Sequence, residues 1–277
     1  MLVYDVYPDL LIALGRLKRG FISGCWDFFN RLVYENASLV MTIEQDMANR
    51  LEKKFDVLKT DEKKVICIPP WADINVIRPI DKEQNWFAAK YDLLDKITIL
   101  YSGNMGHSHD IETILETAKR LRRETGIYFV FIGEGAKWSL VEKTIEEFQL
   151  KNITLLPFQP EEVLPMSMAS GDIGIVTYED GTQGCMSPSK AYYYMAAGLP
   201  LLVISEYETD LTRLIKEIGC GIWVKNGDID KVVKTVMKLH ESHELLAQYK
   251  KSARKTAEEL YSRKNSELFV NALKAIG

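Results

Sequence analysis

Apolar, β-rich runs alternate with segments of helical periodicity along almost the whole chain. Before residue 75 the apolar runs lie at residues 2–7, 39–43 and 65–68 and predict three short buried strands. A long helical pattern covers about residues 9–37, and a shorter one begins near Glu44. Residues 69–81 are rich in proline and lose this periodicity. They therefore predict a boundary between two domains.

After this boundary the alternation restarts with six apolar runs, each followed by a helical pattern. The runs lie at residues 97–101, 128–132, 153–156, 173–178, 201–204 and 221–224. Strands that alternate with helices in this way are typical of a doubly wound parallel sheet. Helix ends are also indicated: Ser108 or Asp110 as the N-cap of the first helix, Gly219 as a C′ residue and Ser262 as the N-cap of the last helix.

The pattern predicts an α/β protein in three parts. Residues 76–260 form a complete Rossmann-like domain, and residues 261–277 form a C-terminal helix that returns toward the first domain. Residues 1–75 supply only three strands, whereas a Rossmann-like domain is built from two βαβαβ halves. We therefore expect this first part to be a partial Rossmann-like domain.

Composition and charge narrow the class of protein. The 277 residues include 35 Lys plus Arg and 39 Asp plus Glu, a net charge of −4, which is unfavourable for nucleic-acid binding. No apolar run approaches the roughly 18 residues of a transmembrane helix, and no signal-peptide pattern opens the chain. The four cysteines lack a Cys-x-x-Cys pair, so a reducing cytoplasm is expected.

Three loops that follow predicted strands carry candidate chemistry. Residues 102–110 include Gly103 and Gly106, which would let backbone N–H groups approach a phosphate; an ordinary strand-to-helix turn is the alternative. Residues 133–135, Gly-Glu-Gly, are too short for a dinucleotide fingerprint and are interpreted as a structural turn. His107 and His109 could contact a diphosphate or a sugar, or be merely solvated.

The third loop, residues 181–190, ends in Ser187-Pro188-Ser189-Lys190. Pro188 suits the first turn of a helix and Ser187 its cap, which places Lys190 in that first turn. A cation there opposes the helix dipole, and this placement is easier to explain if an anion is bound. A surface lysine is the alternative. No catalytic-triad order, His-Glu-x-x-His or P-loop pattern occurs in the sequence.

Several of these segments resemble family 4 glycosyltransferases. Residues 4–9, Tyr-Asp-Val-Tyr-Pro-Asp, resemble a strand and turn late in their N-terminal domain, and residues 65–73 are similar to their interdomain "IPNWAD" segment. Residues 101–106 and 188–192, with the Ala-Ala-Gly-x-Pro segment that follows, are similar to a bacterial branch of capsule, O-antigen and colanic-acid type transferases. The resemblance covers essentially the whole chain, in order.

This resemblance implies a GT-B fold with two Rossmann-like domains facing a cleft. It implies a retaining hexosyltransferase that uses a nucleotide-sugar donor, a UDP-hexosamine above all, and no metal cofactor. Gly103, Asn104 and Gly106 would face the diphosphate, and Lys190 would neutralise it. Other implied donor-binding residues are Met105, His107, Gly133, Pro157, Phe158, Gln159, Gly184, Ser187, Pro188, Ser189 and Tyr192.

The chain departs from the family pattern at several positions. Two glutamates typical of the wider family are replaced by Cys185 and Tyr193, so no catalytic residue is assigned. His107 and Gln183 stand where the branch often has arginine and glutamate, which puts the local anion contacts in doubt. The resemblance also begins well inside the family's first domain, whose missing part normally carries most of the acceptor site.

The leading hypothesis is a cytoplasmic enzyme of cell-surface glycan assembly that acts on a lipid-linked or polysaccharide acceptor. A non-catalytic nucleotide-sugar-binding subunit of a split transferase is the alternative, and a GT-B UDP-sugar epimerase ranks lower. The expected partners include a complementing N-terminal half-domain chain or a second copy, but no nucleic acid. Residues 10–34 could also bring the enzyme to the inner face of the plasma membrane, although a core helix with a solvated basic end is the commoner explanation for this pattern.

Overall fold

A computed structural model describes residues 1–56 and 65–275, and its strands form two separate parallel sheets. Residues 276–277 of the predicted C-terminal helix lie outside this range. The smaller sheet contains β1 (Leu2–Val3), β2 (Val40–Thr42) and β3 (Val65–Cys67) in the order β1-β2-β3. In register, Met41 pairs with Leu2 on one side and with Ile66 on the other.

Strand β1 is shorter than the predicted run of residues 2–7 because the chain leaves the sheet after Val3. Asp5 forms an isolated antiparallel bridge with Met186, and the N–H of Val6 donates to the carbonyl oxygen of Cys185 at 2.7 Å. This segment thus contacts a loop of the larger sheet that is distant from it in sequence.

The single long helix predicted over residues 9–37 is two helices, α1 (Asp9–Ala13) and α2 (Phe21–Asn36). Gly15, at a φ of +66°, lies in the left-handed region just after α1, which glycine enters without steric cost. Helix α3 (Gln45–Lys54) follows β2 as predicted. Met47, Ala48 and Leu51 of α3 are fully buried over the small sheet.

Helix α2 turns its apolar side outward. Ser23 and Tyr34 are its buried residues, whereas Phe21 is 87% exposed. The prediction of a core helix is therefore wrong for this outer face. Six of the exposed apolar residues of α2 follow helical spacing and are named here the α2 stripe: Phe21, Ile22, Phe28, Phe29, Leu32 and Val33.

The larger sheet confirms the predicted doubly wound architecture. Its strands are β4 (Ile97–Ser102), β5 (Ile127–Ile132), β6 (Ile153–Leu156), β7 (Ile173–Thr177), β8 (Leu201–Ile204) and β9 (Gly221–Val224). All are parallel, in the order β6-β5-β4-β7-β8-β9. The direction of strand succession reverses between β4 and β7, the point at which ligands bind in such sheets.

Helices cover both faces of this sheet. They are α4 (Trp86–Lys90), α5 (Glu112–Arg120), α6 (Trp138–Phe148), α7 (Leu164–Ala169), α8 (Lys190–Ala196), α9 (Asp210–Ile218), α10 (Ile229–Glu241) and α11 (His243–Leu260), followed by α12 (Asn265–Lys274). Alternate residues of β4 enter different cores. Leu100 packs with residues of α8 and α11, whereas Ile99 packs with residues of α5 and α10.

Not all predicted helix caps are correct. Gly219 ends α9 in the left-handed conformation, as predicted, and Asp110 rather than Ser108 accepts the N–H of Thr113 at 2.9 Å near the start of α5. The predicted Ser262 cap is wrong, because α12 begins at Asn265 and the Ser262 hydroxyl is buried without a partner. Ser187 does not cap α8 either, because its hydroxyl is hydrogen-bonded to Glu44.

Within the described residues the chain passes between the two sheets twice. The first passage follows β3, and the second connects α11 to α12. The two passages are hydrogen-bonded to each other. The N–H of Ala72 donates to the carbonyl oxygen of Tyr261 at 3.1 Å, and the carboxamide of Asn265 donates to the carbonyl oxygen of Pro69 at 3.2 Å. Phe269 and Ala272 of α12 then pack beside Leu39, Met41 and Ile68 of the smaller sheet.

Candidate functional site

A pocket of about 290 Å³ opens at the carboxyl end of β4, beside the reversal of strand order. We call it the switch-point pocket. Its walls come from the loop after β4, the loop after β6 and the segment that leads into α8. Eight of the predicted donor-binding residues line it: Gly103, Asn104, Phe158, Gln159, Ser187, Pro188, Ser189 and Lys190.

Lys190 is the dominant charge of the switch-point pocket. It is the first residue of α8, as predicted, but it is only 8% exposed, so its interpretation as a surface lysine is wrong. Among the residues that the structure describes, its Nζ has no hydrogen-bond partner, and it lies 3.7 Å from the centroid of the Tyr101 ring. Burial lowers the pKa of Lys190 to about 7. A buried ammonium held only by a ring face is free to pair with an anionic ligand.

The loop after β4 packs against Lys190 at Gly103, whose backbone conformation favours glycine. A Cβ on Gly103 would lie 3.4 Å from Cε and 3.6 Å from Nζ of Lys190, at a φ of +135° that side chains rarely adopt. Gly133 lies against the same loop, and a Cβ there would be 2.0 Å from the carbonyl oxygen of Gly103. Gly133 is therefore a close-packing residue between two loops, in agreement with its interpretation as part of a structural turn.

His109 also lines the switch-point pocket and is 6% exposed. Its Nδ1 lies 3.0 Å from the carbonyl oxygen of Thr177, and burial together with Lys190 lowers the pKa of His109 to about 3. The imidazole is thus neutral at physiological pH, and Nδ1 carries the proton that it donates to Thr177. The sequence left two alternatives for His109, contact with a diphosphate or sugar and simple solvation, and its burial excludes the solvated one.

Other predicted residues lie outside the switch-point pocket. Met105 is fully buried in the core between β4 and α5, and Tyr192 is buried behind Ser187, 3.3 Å from its hydroxyl. His107 is exposed, with Nε2 2.6 Å from Nη2 of Arg16. Among the rest, Gly106 is half-buried behind Asn104 and Pro157 is exposed beside Gln159.

Gly184 lines a second, larger pocket of about 820 Å³ between α1, α2, α3 and residues 183–184. Its charged side chains largely pair with one another. Lys54 contacts both Asp9 and Asp27, and Arg50 lies 3.6 Å from Asp9 while donating to the carbonyl oxygen of Gln183 at 3.0 Å. This pocket therefore offers donors and acceptors together, and its lining cations include the exposed Arg19 and Lys53, whereas Lys190 of the switch-point pocket is buried.

The smaller sheet reaches the wall of the switch-point pocket through Glu44. Its Oε1 and the Ser187 hydroxyl oxygen are hydrogen-bonded at 2.8 Å, and the residue is 6% exposed. Burial raises the pKa of Glu44 to about 8. Sequence reasoning missed Glu44, because nothing local indicates a contact with a residue 143 positions away.

The fold and the site together define a GT-B type α/β protein with a ligand pocket at the switch point of its larger sheet. Comparison with protein families identifies the group. Residues 83–256, more than half of the chain, match the family "Glycosyl transferases group 1". The chain belongs to this family.

Two curated bacterial proteins resemble much of the chain. The probable glycosyltransferase WbjE of Pseudomonas aeruginosa is 30% identical over 224 residues, which are 80% of this chain and 54% of that protein. The putative colanic acid biosynthesis glycosyl transferase WcaI of Escherichia coli K12 is 27% identical over 269 residues, 95% of this chain and 64% of that protein. The chain thus spans a little over half to about two thirds of these relatives.

Solved structures support the same fold at low sequence identity. Anabaena Alr3699/HepE in complex with UDP-glucose has a TM-score of 0.78 at 13% identity, covering 99% of this chain and 71% of that one. WaaG, a glycosyltransferase involved in lipopolysaccharide biosynthesis, has a TM-score of 0.75 at 15% identity, covering 97% and 73%. Within residues 1–56 and 65–275, no helix has the length and apolarity to cross a membrane.

Proposed function

We propose that this chain is the donor-binding part of a retaining hexosyltransferase of family 4 type. It holds a nucleotide sugar, a UDP-hexosamine by preference, in the switch-point pocket. The observation that carries this proposal is the buried, unpaired ammonium of Lys190 among loops that approach one another closely. A diphosphate supplies the negative charge that this ammonium lacks.

The chemistry assigned to the pocket is electrostatic. When the bond between the sugar and the diphosphate breaks, negative charge grows on the leaving group, and a preorganised cation stabilises it. Lys190 is already desolvated, so no water has to be removed from it during the reaction. We propose that this charge, with backbone N–H groups of the loop after β4, replaces a metal ion as the stabiliser of the leaving diphosphate.

Similar proteins support the proposed donor and the proposed role in glycan assembly. The complexes of the neighbour Alr3699/HepE contain UDP or UDP-glucose, which favours a UDP-sugar as donor. The names of WbjE and WcaI favour assembly of a bacterial cell-surface glycan, on a lipid-linked or polysaccharide acceptor.

The exposed α2 stripe supports the proposal that the enzyme has a further binding partner. An exposed apolar face of this extent is rarely left in contact with water. We propose that the complete enzyme covers it, either with a complementing half-domain or a second copy, or by peripheral contact with the inner face of the plasma membrane. In the membrane case the exposed residues Arg16, Lys18 and Arg19 would face anionic lipid.

Isothermal titration calorimetry with UDP-glucose tests the donor assignment. Wild type should bind, and Lys190→Met should weaken binding at least about 10-fold, since a charge-assisted contact contributes roughly 1.5–3 kcal/mol. Lys151→Met removes an exposed lysine far from the pocket and serves as the matched control. Equal affinities of wild type and Lys190→Met would overturn the proposal.

A transfer assay separates an enzyme from a binding subunit. The chain is incubated with radiolabelled UDP-sugar and a lipid-linked acceptor, alone and with an added N-terminal half-domain of a relative such as WcaI. Transfer in either mixture supports the hexosyltransferase. Donor binding without transfer or hydrolysis in both mixtures supports the non-catalytic subunit instead.

A further inference from the structure

Glu44 directly precedes α3, yet its carboxyl makes no hydrogen bond to the N-terminal amides of that helix. The carboxyl is instead directed away from its own helix, and Oε1 contacts the hydroxyl of Ser187 at 2.8 Å. Ser187 lines the switch-point pocket, whereas Glu44 itself does not. Glu44, which lies between β2 and α3 of the smaller sheet, thus reaches the pocket through the Ser187 hydroxyl.

The Ser187 hydroxyl has one proton and two lone pairs to distribute. The Glu44 carboxyl lies on one side of this hydroxyl, and the Tyr192 hydroxyl lies 3.3 Å away on another. When the Ser187 proton is directed to Glu44, the hydroxyl can only accept a hydrogen bond from a ligand. When Glu44 donates instead, the Ser187 proton becomes available to a ligand oxygen.

The protonation of Glu44 selects between these two arrangements. Burial raises the pKa of Glu44 to about 8, Asp46 and Asp210 raise it further, and Arg213 and the Ser187 hydrogen bond oppose the rise. At neutral pH the carboxyl is therefore mostly neutral and can donate to Ser187. The remaining titratable groups around Glu44 are Tyr178, Tyr192, Tyr261 and Cys67, and burial raises the pKa of each.

We propose that Glu44 is a positioning residue for the donor. Its neutral carboxyl turns the Ser187 proton toward the switch-point pocket, where that proton is donated to an oxygen of the nucleotide sugar. When Glu44 is ionised, the O–H bond of Ser187 turns toward the carboxylate and no longer points at the ligand. The carboxylate also brings a negative charge close to the diphosphate. This inference rests on the proposed function, because it takes a nucleotide sugar as the occupant of the pocket.

The test measures UDP-glucose affinity by calorimetry at pH 7 for wild type, Glu44→Ala, Ser187→Ala and the double variant. Each single variant should weaken binding about 5- to 10-fold, the usual effect of one lost hydrogen bond. The double variant should bind within twofold of the single variants, because both substitutions remove the same contact. Glu44→Gln should stay within twofold of wild type, since its carboxamide can still donate to Ser187.

A second measurement follows the affinity from pH 7 to pH 9. Lys190 also loses its charge in this range, so wild type and Glu44→Gln should both weaken as the pH rises. Wild type should weaken about 5-fold more than Glu44→Gln, because only wild type gains the carboxylate. A purely structural role for Glu44 would give the two proteins parallel profiles and would overturn the inference.

Met47→Ala is the control for general loosening of the smaller sheet. Met47 is fully buried in α3 and does not contact the pocket, so this variant should melt earlier but bind UDP-glucose within twofold of wild type. Equal weakening by Met47→Ala, or additive effects of Glu44→Ala and Ser187→Ala, would overturn the positioning role alone. A wild-type chain that binds neither UDP-glucose nor a UDP-hexosamine would overturn the proposed function instead.

Discussion

Asp46 and Asp210 exchange hydrogen bonds across the two sheets. The N–H of Asp46 donates to the Asp210 carboxylate at 2.7 Å, and the N–H of Asp210 donates to the Asp46 carboxylate at 2.9 Å. Arg213 lies between the two carboxylates and contacts them at 2.5 and 2.7 Å. The N-termini of α3 and α9 are therefore joined by each other's side chains, with one guanidinium balancing the two negative charges.

We expect this exchange to appear as an energetic coupling between the two residues. In a double-mutant cycle of Asp46→Ala and Asp210→Ala, the coupling should be about 1–2 kcal/mol, because each change removes one of the two charge-assisted hydrogen bonds and both carboxylates share Arg213. Urea denaturation provides the measurement. The exposed pair Arg120 and Asp230 is the matched control, and its coupling should stay below about 0.5 kcal/mol. Equal couplings for the two pairs would contradict the prediction.

Lys190 should destabilise the ligand-free protein. Burial lowers its pKa from 10.5 to about 7, so the cost of a charged lysine is complete below pH 7 and disappears as the pH rises toward 10.5. Lys190→Met should therefore raise the melting temperature at pH 7 by several degrees. This gain should shrink at pH 9.5, and differential scanning fluorimetry measures both values. A gain that is independent of pH would show that packing rather than charge causes it.

Gly133 should tolerate no side chain. In Gly133→Ala the new Cβ would lie 2.0 Å from the Gly103 carbonyl oxygen, so the loop after β4 must move. We expect a loss of about 3 kcal/mol or more in the free energy of unfolding, together with weaker UDP-glucose binding.

Gly227→Ala is the matched control for the Gly133 prediction. Gly227 also has a positive φ, +72°, but a Cβ added there would meet no atom within 4 Å. Only the backbone cost of about 1 kcal/mol should remain, with no change in UDP-glucose affinity. Equal losses of stability in the two variants would show that φ alone, and not the contact with Gly103, makes Gly133 necessary.

His109 should make the protein sensitive to acid. Its pKa is lowered from 6.5 to about 3, so the unfolded chain takes up a proton first as the pH falls. Stability should be lost progressively between pH 6.5 and about 3, and His109→Gln should lose less over the same range. Urea midpoints from pH 7 to pH 4 give the comparison. Parallel losses in wild type and variant would mean that His109 is already charged in the native state.

The larger sheet was predictable because each of its strands is a local apolar run and the connection rules for parallel sheets restrict the topology. The position of Lys190 at the start of a helix was also predictable, since Pro188 indicates the helix locally. Its burial was not, because it depends on Tyr101 and Gly103, which are distant in sequence.

The interpretation of Ser187 shows the limit of local signals. A serine directly before proline and a helical pattern normally indicates an N-cap, yet here the hydroxyl bonds to Glu44 of the smaller sheet. The outward apolar face of α2 has the same origin. Its spacing predicts an amphipathic helix correctly, but spacing alone does not tell which side the rest of the protein covers.

The adjacent passages at Ala72 and Tyr261 limit how the two sheets can move. Both connections lie at one place and are hydrogen-bonded there, so any change in the relative orientation of the sheets has to be accommodated at this place. Asp46, Asp210, Glu44 and Ser187 meet across the junction of the sheets. A change in this orientation would disturb both of their contacts together, and through Ser187 it would reach the wall of the switch-point pocket.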